Sequence, residues 1–356
     1  MVLALLAAPD AGRAQFILKK DQTPLPIDAA TRKAVVDEVV KRLEEDYVFP
    51  DVAAKMAKAV RGRLAEKEYE GIKTGQDLAA ALTRDLQEVS KDKHLRLMCS
   101  TEKLPKRPAN AGPTAEEKAR RRLMTQKTNA GYRKVERLAG NVGYLELDNF
   151  ADAEAAAEPA AAALNFLANT DALIIDLRRN GGGNPTGVAL LCSYLFGEKP
   201  VHLNSLYWRR GDRTEEFWTR KELPGKRYLG KEVYVLTSGR TFSGAEEFCF
   251  NLQSLKRATI VGERTGGGAH PGGMSPIGEH FLLFVPAGRA INPITKTNWE
   301  GTGVKPDVAV PADQALEKAH QLAVDKILAG TKDEEVRKLI RFDLDRGKLR
   351  EKQAPK

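Results

Sequence analysis

The stretch Ala172-Leu173-Ile174-Ile175-Asp176-Leu177-Arg178-Arg179-Asn180-Gly181-Gly182-Gly183 decides the fold. Its first half is a continuous apolar run, the pattern of a strand covered on both faces. Its second half ends in three positions without side chains, and a helical pattern follows over about 186–196. The same texture recurs outward from it. Val233-Tyr234-Val235-Leu236 reads as a second buried strand, with a helix starting at Ser243 and running to about 255. Thr259-Ile260-Val261-Gly262 reads as a third. Upstream, 141–150 reads as a strand and is followed by an Ala-rich helix to about 168. Strands alternating with helices imply parallel βαβ units and an α/β core.

The flanks are helical. Val35, Val36, Val39, Val40, Leu43 and Tyr47 recur at helical spacing, and Pro50 stops that helix. Met56, Val60 and Leu64 continue the pattern. Leu78, Leu82, Leu86 and Val89 mark a third helix, with Thr74 as its cap. These helices make up a helical domain over 28–100. Residues 101–135, rich in Lys, Arg, Pro and Ala, read as a linker with a short charged helix. The core then spans 136–330, and a helical tail covers 331–356.

The 356-residue chain carries a net charge of +9, but its basic residues are interspersed with acidic ones. That is a solvated surface rather than a nucleic-acid footprint, and no base-reading motif accompanies it. The three cysteines, Cys99, Cys192 and Cys249, show no metal-ligand or CxxC spacing. The apolar run Val2-Leu3-Ala4-Leu5-Leu6-Ala7-Ala8 resembles the end of a secretory signal over 1–14. It points to export into a periplasmic or extracellular space and leaves a cytoplasmic place open. Stable membrane insertion is not expected, because no later stretch is apolar enough to span a bilayer.

Three loops follow directly on three strands: Arg178–Gly183, Thr237–Ser243 and Glu263–Gly268. In a parallel sheet all strands end on one edge, so periodicity alone gathers these loops there. Ser243 opens a helix, where free N–H groups and the dipole favour an oxyanion, although Ser is also an ordinary helix cap. The glycines of the first loop let backbone N–H groups converge on a negative atom, as an oxyanion hole requires. A tight turn would use the same glycines. Neither phosphate-binding glycine fingerprint is present.

Read in order, Asp176–Gly183, then Thr237-Ser238-Gly239-Arg240-Thr241-Phe242-Ser243-Gly244-Ala245-Glu246, then Gly262-Glu263-Arg264-Thr265, then Glu300-Gly301-Thr302-Gly303-Val304-Lys305-Pro306-Asp307 resemble the catalytic core of the C-terminal-processing (tail-specific) peptidases. The resemblance covers about 135–312. It is to a branch without a PDZ domain, related to the tricorn core and to interphotoreceptor retinoid-binding protein, because the stretch from His94 to Asn141 is too short for such a domain. It implies a ClpP/crotonase-like α/β fold beneath a helical cap domain, the helices over 28–100. It also implies a serine-type peptidase with Ser243 as nucleophile and the N–H groups of Gly244 and of Gly182 or Gly183 as the oxyanion hole. It implies no metal and no organic cofactor. A peptide or unfolded protein is the expected substrate, and self-association into a homo-oligomer is left open.

One position departs from the bacterial processing enzymes. Their lysine base follows the G-E-x-T motif in a G-K-G context, and here that place reads Gly266-Gly267-Gly268-Ala269. A serine needs a base within reach. By the same resemblance His94, in Asp92-Lys93-His94-Leu95, falls on the tricorn-type histidine, and Glu300 on the glutamate that supports it. His270, in Gly268-Ala269-His270-Pro271, is the rival base or a substrate contact. Glu246 is expected to fix the nucleophile helix. The second functional reading is a non-catalytic protein that binds an apolar, retinoid-like ligand on the same scaffold.

Overall fold

The computed structural model describes residues 23–105 and 112–353, so the expected secretory segment over 1–14 lies outside the described residues. The chain divides into two compact units. One runs up to Arg122 and also takes Ser205–Glu216 and Gly268–Ile291; the other comprises Leu123–Asn204, Phe217–Gly267 and the chain from Asn292 onward. Elements are numbered in chain order.

The first unit holds α1 (Ala29–Asp46), α2 (Pro50–Ala65), α3 (Gly75–Ser90) and β1 (Arg96–Cys99). Local chemistry sets the helix ends. The Asp28 side chain accepts the Thr31 N–H at 2.7 Å, Pro50 starts α2, and Thr74 accepts the Asp77 N–H at 3.2 Å. Lys91, at φ 59°, turns the chain out of α3. The apolar stripes seen in the sequence form one core: Val36, Val39, Val40, Leu43, Met56, Val60, Leu78, Leu82 and Leu86 pack with Leu97, Ile277, Phe281 and Leu283. The last three come from the antiparallel sheet β1-β10-β9, with β9 at Gly272–Ile277 and β10 at Phe281–Pro286.

The second unit is built on a six-stranded sheet. After α4 (Ala115–Lys127), which buries no residue, come β2 (Tyr132–Leu138), β3 (Val142–Leu147), α5 (Ala153–Leu167), β4 (Ala172–Asp176) and α6 (Pro185–Leu195). Then follow β7 (Glu232–Thr237), α7 (Gly244–Ser254), β8 (Thr259–Gly262), β12 (Val308–Ala309), α8 (Ala315–Gly330) and α9 (Glu334–Gln353). The order is β12-β8-β7-β4-β3-β2, parallel from β3 to β12, with β2 antiparallel at the edge. Each new parallel strand is added on the same side of the last. Right-handed crossovers then place α5, α6 and α7 on one face. On the other face Ala315, Ala319, Ala323 and Val324 of α8 pack on Val142, Tyr144, Ala172, Ile174, Tyr234, Leu236 and Val261.

The expected ClpP/crotonase-like core of successive βαβ units is corrected here. Between α6 and β7 the chain makes β5 (His202–Trp208) and β6 (Arg213–Trp218). Between β8 and β12 it makes β9, β10 and β11 (Gly288–Ile291). These five strands pair antiparallel outside the six-stranded sheet, in the orders β11-β5-β6 and β1-β10-β9, so the fold is mixed α/β. Two of them offer little apolar pattern: β6 exposes all but one of its side chains, and β9 buries only Ile277.

The helical core gives a first prediction. Leu82 is fully buried among apolar neighbours, so Leu82→Ala is expected to cost about 2–5 kcal/mol. Urea denaturation followed by far-UV circular dichroism measures it; a loss well below 1 kcal/mol would contradict the packing described.

Candidate active site

The three loops of the second unit leave the carboxyl ends of β4, β7 and β8, and they are stitched to one another. Thr241 Oγ donates to Leu177 O at 2.9 Å, Ser238 Oγ to Arg178 O at 2.6 Å, Phe242 N to Asn180 O at 3.1 Å, and Gly266 N to Thr241 O at 2.9 Å. At this edge a pocket is lined by Arg178, Ser238, Arg240 and Glu263 of these loops together with Tyr144, Glu146 and Ala312.

Ser243 lies at the turn from β7 into α7, buried, with φ 54° and ψ −123°. A residue with a Cβ rarely adopts that conformation, which costs about 1–3 kcal/mol. It serves as a nucleophile elbow does, setting a serine on a sharp strand-to-helix turn. Glu246, fully buried, holds it there. One carboxyl oxygen accepts the Ser243 N–H at 2.8 Å. The other accepts the Thr265 hydroxyl at 2.5 Å and the Gly267 N–H at 2.6 Å. Thr265 Oγ in turn accepts the Val304 N–H at 2.7 Å. Thus Glu246, the G-E-x-T motif and the G-x-G-V motif close one network around the serine's backbone.

The glycine loop lies against this turn. A Cβ on Gly182 would stand 2.8 Å from Gly244 N, Phe242 O and Ser243 Cβ; one on Gly244 would stand 3.1 Å from Gly183 N. Only glycine allows that approach. The two candidate donors of this loop now separate. The Gly182 N–H is already given to Asn180 Oδ1 at 2.8 Å, whereas among the described residues the N–H groups of Gly183 and Gly244 meet no protein acceptor. Asn180, wholly buried, is anchored through Nδ2 to Leu147 O at 2.9 Å. Glu300, half-buried in the same unit, gives its N–H to Asn298 Oδ1 at 2.9 Å.

His94 and His270 belong to the first unit, where both are buried and share Asp92. Asp92 Oδ1 accepts the His94 N–H at 3.0 Å, and Oδ2 stands 2.7 Å from His270 Nδ1. The Tyr47 hydroxyl reaches the same Oδ2 at 3.3 Å. The His94 ring stacks on Phe284 with centroids 5.7 Å apart, and the His270 ring meets Phe49 edge-on at 5.4 Å. Burial pushes His94 down to about 4, against the pull of Asp92; His270 and Arg96 lower it further.

Comparison with known proteins identifies the chain. The family model described as peptidase family S41 matches residues 141–310, and that described as the N-terminal domain of peptidase S41 in eukaryotic IRBP matches residues 17–131. The chain belongs to peptidase family S41. A carboxy-terminal-processing protease of Bartonella bacilliformis is 27% identical over 191 residues, which cover 49% of this chain. The match spans only 40% of that relative's length. Two solved structures show the fold. Mature CPAF complexed with lactacystin superposes with a TM-score of 0.54 at 13% identity, covering 88% of this chain and 99% of that one. The photosystem II D1 C-terminal processing protease gives 0.50 at 14% identity, covering 82% and 97%. The fold is thus the mixed α/β fold of these peptidases, and the crotonase-like description is withdrawn.

In this S41 chain Ser243, Gly244, Gly182 and Gly183 come together within one unit, while His94 and His270 come together on Asp92 within the other. Where the bacterial processing enzymes resembled by the sequence place a lysine, Gly267 instead gives its N–H to Glu246, and its carbonyl accepts the Gly301 N–H at 3.1 Å. Sequence reasoning missed Asp92. Its D-x-H spacing was visible, but its bond to a residue 178 positions away was not.

Two substitutions test this geometry. Gly182→Ala pushes a methyl into the Ser243 turn without removing an oxyanion donor, and is expected to lower turnover about 100-fold through misplacement. Turnover within a few-fold of wild type would contradict the close approach. Glu246→Gln swaps an acceptor for a donor inside a buried network and should cost about 1–3 kcal/mol of stability, read by urea denaturation.

Proposed function

We propose that the chain is a serine endopeptidase that cleaves peptide bonds through an acyl-enzyme on Ser243. The observation that carries this reading is the strained, buried Ser243 turn held against two glycine N–H groups. Ser243 Oγ attacks the peptide carbonyl carbon while an imidazole takes its proton. The N–H groups of Gly183 and Gly244 bind the oxyanion. Collapse breaks the C–N bond, and the imidazolium gives its proton to the leaving amine. Water, activated by the same imidazole, then releases the acid. The substrate class is a peptide or unfolded protein.

The base is assigned by the chemistry that each imidazole carries. His94, the first candidate, is kept neutral at pH 7 by burial, the form that accepts a proton. The Asp92 carboxylate beside His270 Nδ1 is the arrangement that fixes a tautomer and steadies an imidazolium. We therefore treat His270 as the alternative base or a substrate contact. Glu300 is proposed as a supporting polar group, as the family resemblance implies.

Hydrolysis of an unfolded protein by wild type and Ser243→Ala tests the reading. Wild type should cleave and the variant fall by about 10⁴-fold or more; cleavage by both, or by neither, overturns it, and tight retinoid binding without cleavage would favour the ligand-binding alternative. The pH profile separates the bases. His94 works only while neutral, so its depressed pKa keeps the rate on its plateau as pH falls through 6.5, with the acid limb at about 4. An acid limb elsewhere, abolished in His270→Ala, would move the base to His270.

A further inference from the structure

Gly183 has no side chain to hold it, and its direction is set from the side away from Ser243. The backbone of Phe150 bridges it there. Phe150 N donates to Gly182 O at 2.9 Å, and Phe150 O accepts the Asn184 N–H at 2.8 Å. In a parallel bridge of this kind the residue between the two bonded partners turns its own N–H and C=O to the opposite side. The Gly183 N–H therefore faces away from Phe150. The fit is close: a Cβ on Gly183 would stand 2.0 Å from Phe150 O, and its φ is 144°.

Asn184 and Phe150 are in turn tied together through one hydroxyl group. Asn184 caps α6, its Oδ1 accepting the Thr186 N–H at 2.9 Å and the Thr186 hydroxyl at 2.8 Å. The same Thr186 oxygen accepts the N–H of Ala153, the first residue of α5, at 3.1 Å. Phe150, Ala153, Thr186 and Asn184 thus close a ring of hydrogen bonds beside Gly183. The next residue presses the ring shut: a Cβ on Gly187 would stand 1.9 Å from Ala151 O, so the first turn of α6 lies directly on this backbone. The cap itself does not need the hydroxyl, because the Thr186 N–H already serves Asn184 and Pro185 presets the first helical φ. What the hydroxyl adds is the link from α6 to α5.

We propose that Thr186 is a positioning residue, whose hydroxyl, acting through Asn184 and the Phe150 backbone, aims the Gly183 N–H at the developing oxyanion. A hydrogen bond weakens steeply as its angle closes, so a donor that is present but turned aside loses much of its catalytic effect. The effect on turnover rests on the reading of Ser243 as nucleophile and Gly183 as donor; the hydrogen-bonded ring does not.

Thr186→Val keeps the branched shape and removes the hydroxyl, whereas Thr186→Ser keeps the hydroxyl. Wild type and both variants are compared by initial rates on fluorescein-labelled casein and by hydrogen exchange of the segments 148–156 and 180–188, read by mass spectrometry. The valine variant should lose about ten-fold in kcat, less than the loss of a whole oxyanion donor, with KM within about two-fold of wild type. Both of its segments should exchange about ten-fold faster. The serine variant should match wild type in rate and exchange. Unchanged exchange in the valine variant overturns the ring. Faster exchange with unchanged kcat, or with a loss that falls on KM instead, overturns the positioning role, as does a serine variant as slow as the valine one. If wild type itself leaves casein uncut, the Ser243 reading fails and takes the positioning role with it, and exchange alone decides the ring. Should Thr186→Val not fold, Thr186→Ala takes its place with the same expected results.

Discussion

The arrangement of the second unit depends on one buried carboxyl group. Glu246 gathers the Ser243 N–H, the Thr265 hydroxyl and the Gly267 N–H, which belong to the loops after β7 and β8. Three donors on one wholly buried acceptor settle the desolvation cost of a carboxyl group at that depth. They also fix the backbone of Ser243 in a conformation that it would leave if released. The strain at the serine and the satisfaction of Glu246 are two sides of the same constraint.

From that constraint the glycines follow. With the Ser243 turn held in place, the loop after β4 must approach within the radius of a methyl group, so Gly182 carries no side chain. Asn180 then takes the Gly182 N–H and leaves the Gly183 N–H facing the helix start. Preorganised donors of this kind need no rearrangement when charge develops, which is the source of their catalytic value. The place where the bacterial processing enzymes resembled by the sequence carry a lysine is here used to complete the Glu246 network.

How much of this the sequence showed depends on the reach of each interaction. The buried parallel strands were legible, because continuous apolar runs such as Ala172–Asp176 leave no other reading. The helix beginning at Ser243 and the stripes of α1 and α3 were legible from spacing and caps. The antiparallel strands β5, β6 and β9 to β11 were not; β6 exposes all but one of its side chains and so looks like loop, while β5 and β10, though rich in buried residues, were passed over. The edge strand β2 likewise falls largely within the stretch read as a linker. At the site, Ser243 and its glycines were found by local motif and position. Asp92 was passed over because its partner His270 is distant in sequence. The positive φ of Ser243 was invisible, since nothing about a serine announces a backbone conformation that its neighbours impose. Glu247 shows the same limit: its sequence neighbours mark it as one more charged helix residue, and only the fold reveals that it is buried.

The central claim is that the Ser243 hydroxyl is an activated nucleophile, and chemical labelling addresses it most directly. Purified protein is treated with a fluorophosphonate, digested, and the adduct located by mass spectrometry, beside a folded Ser243→Ala control. The account predicts a single covalent adduct on Ser243 that is absent from the control. A well-folded wild-type protein that takes no label, or takes it equally in the control, would contradict it.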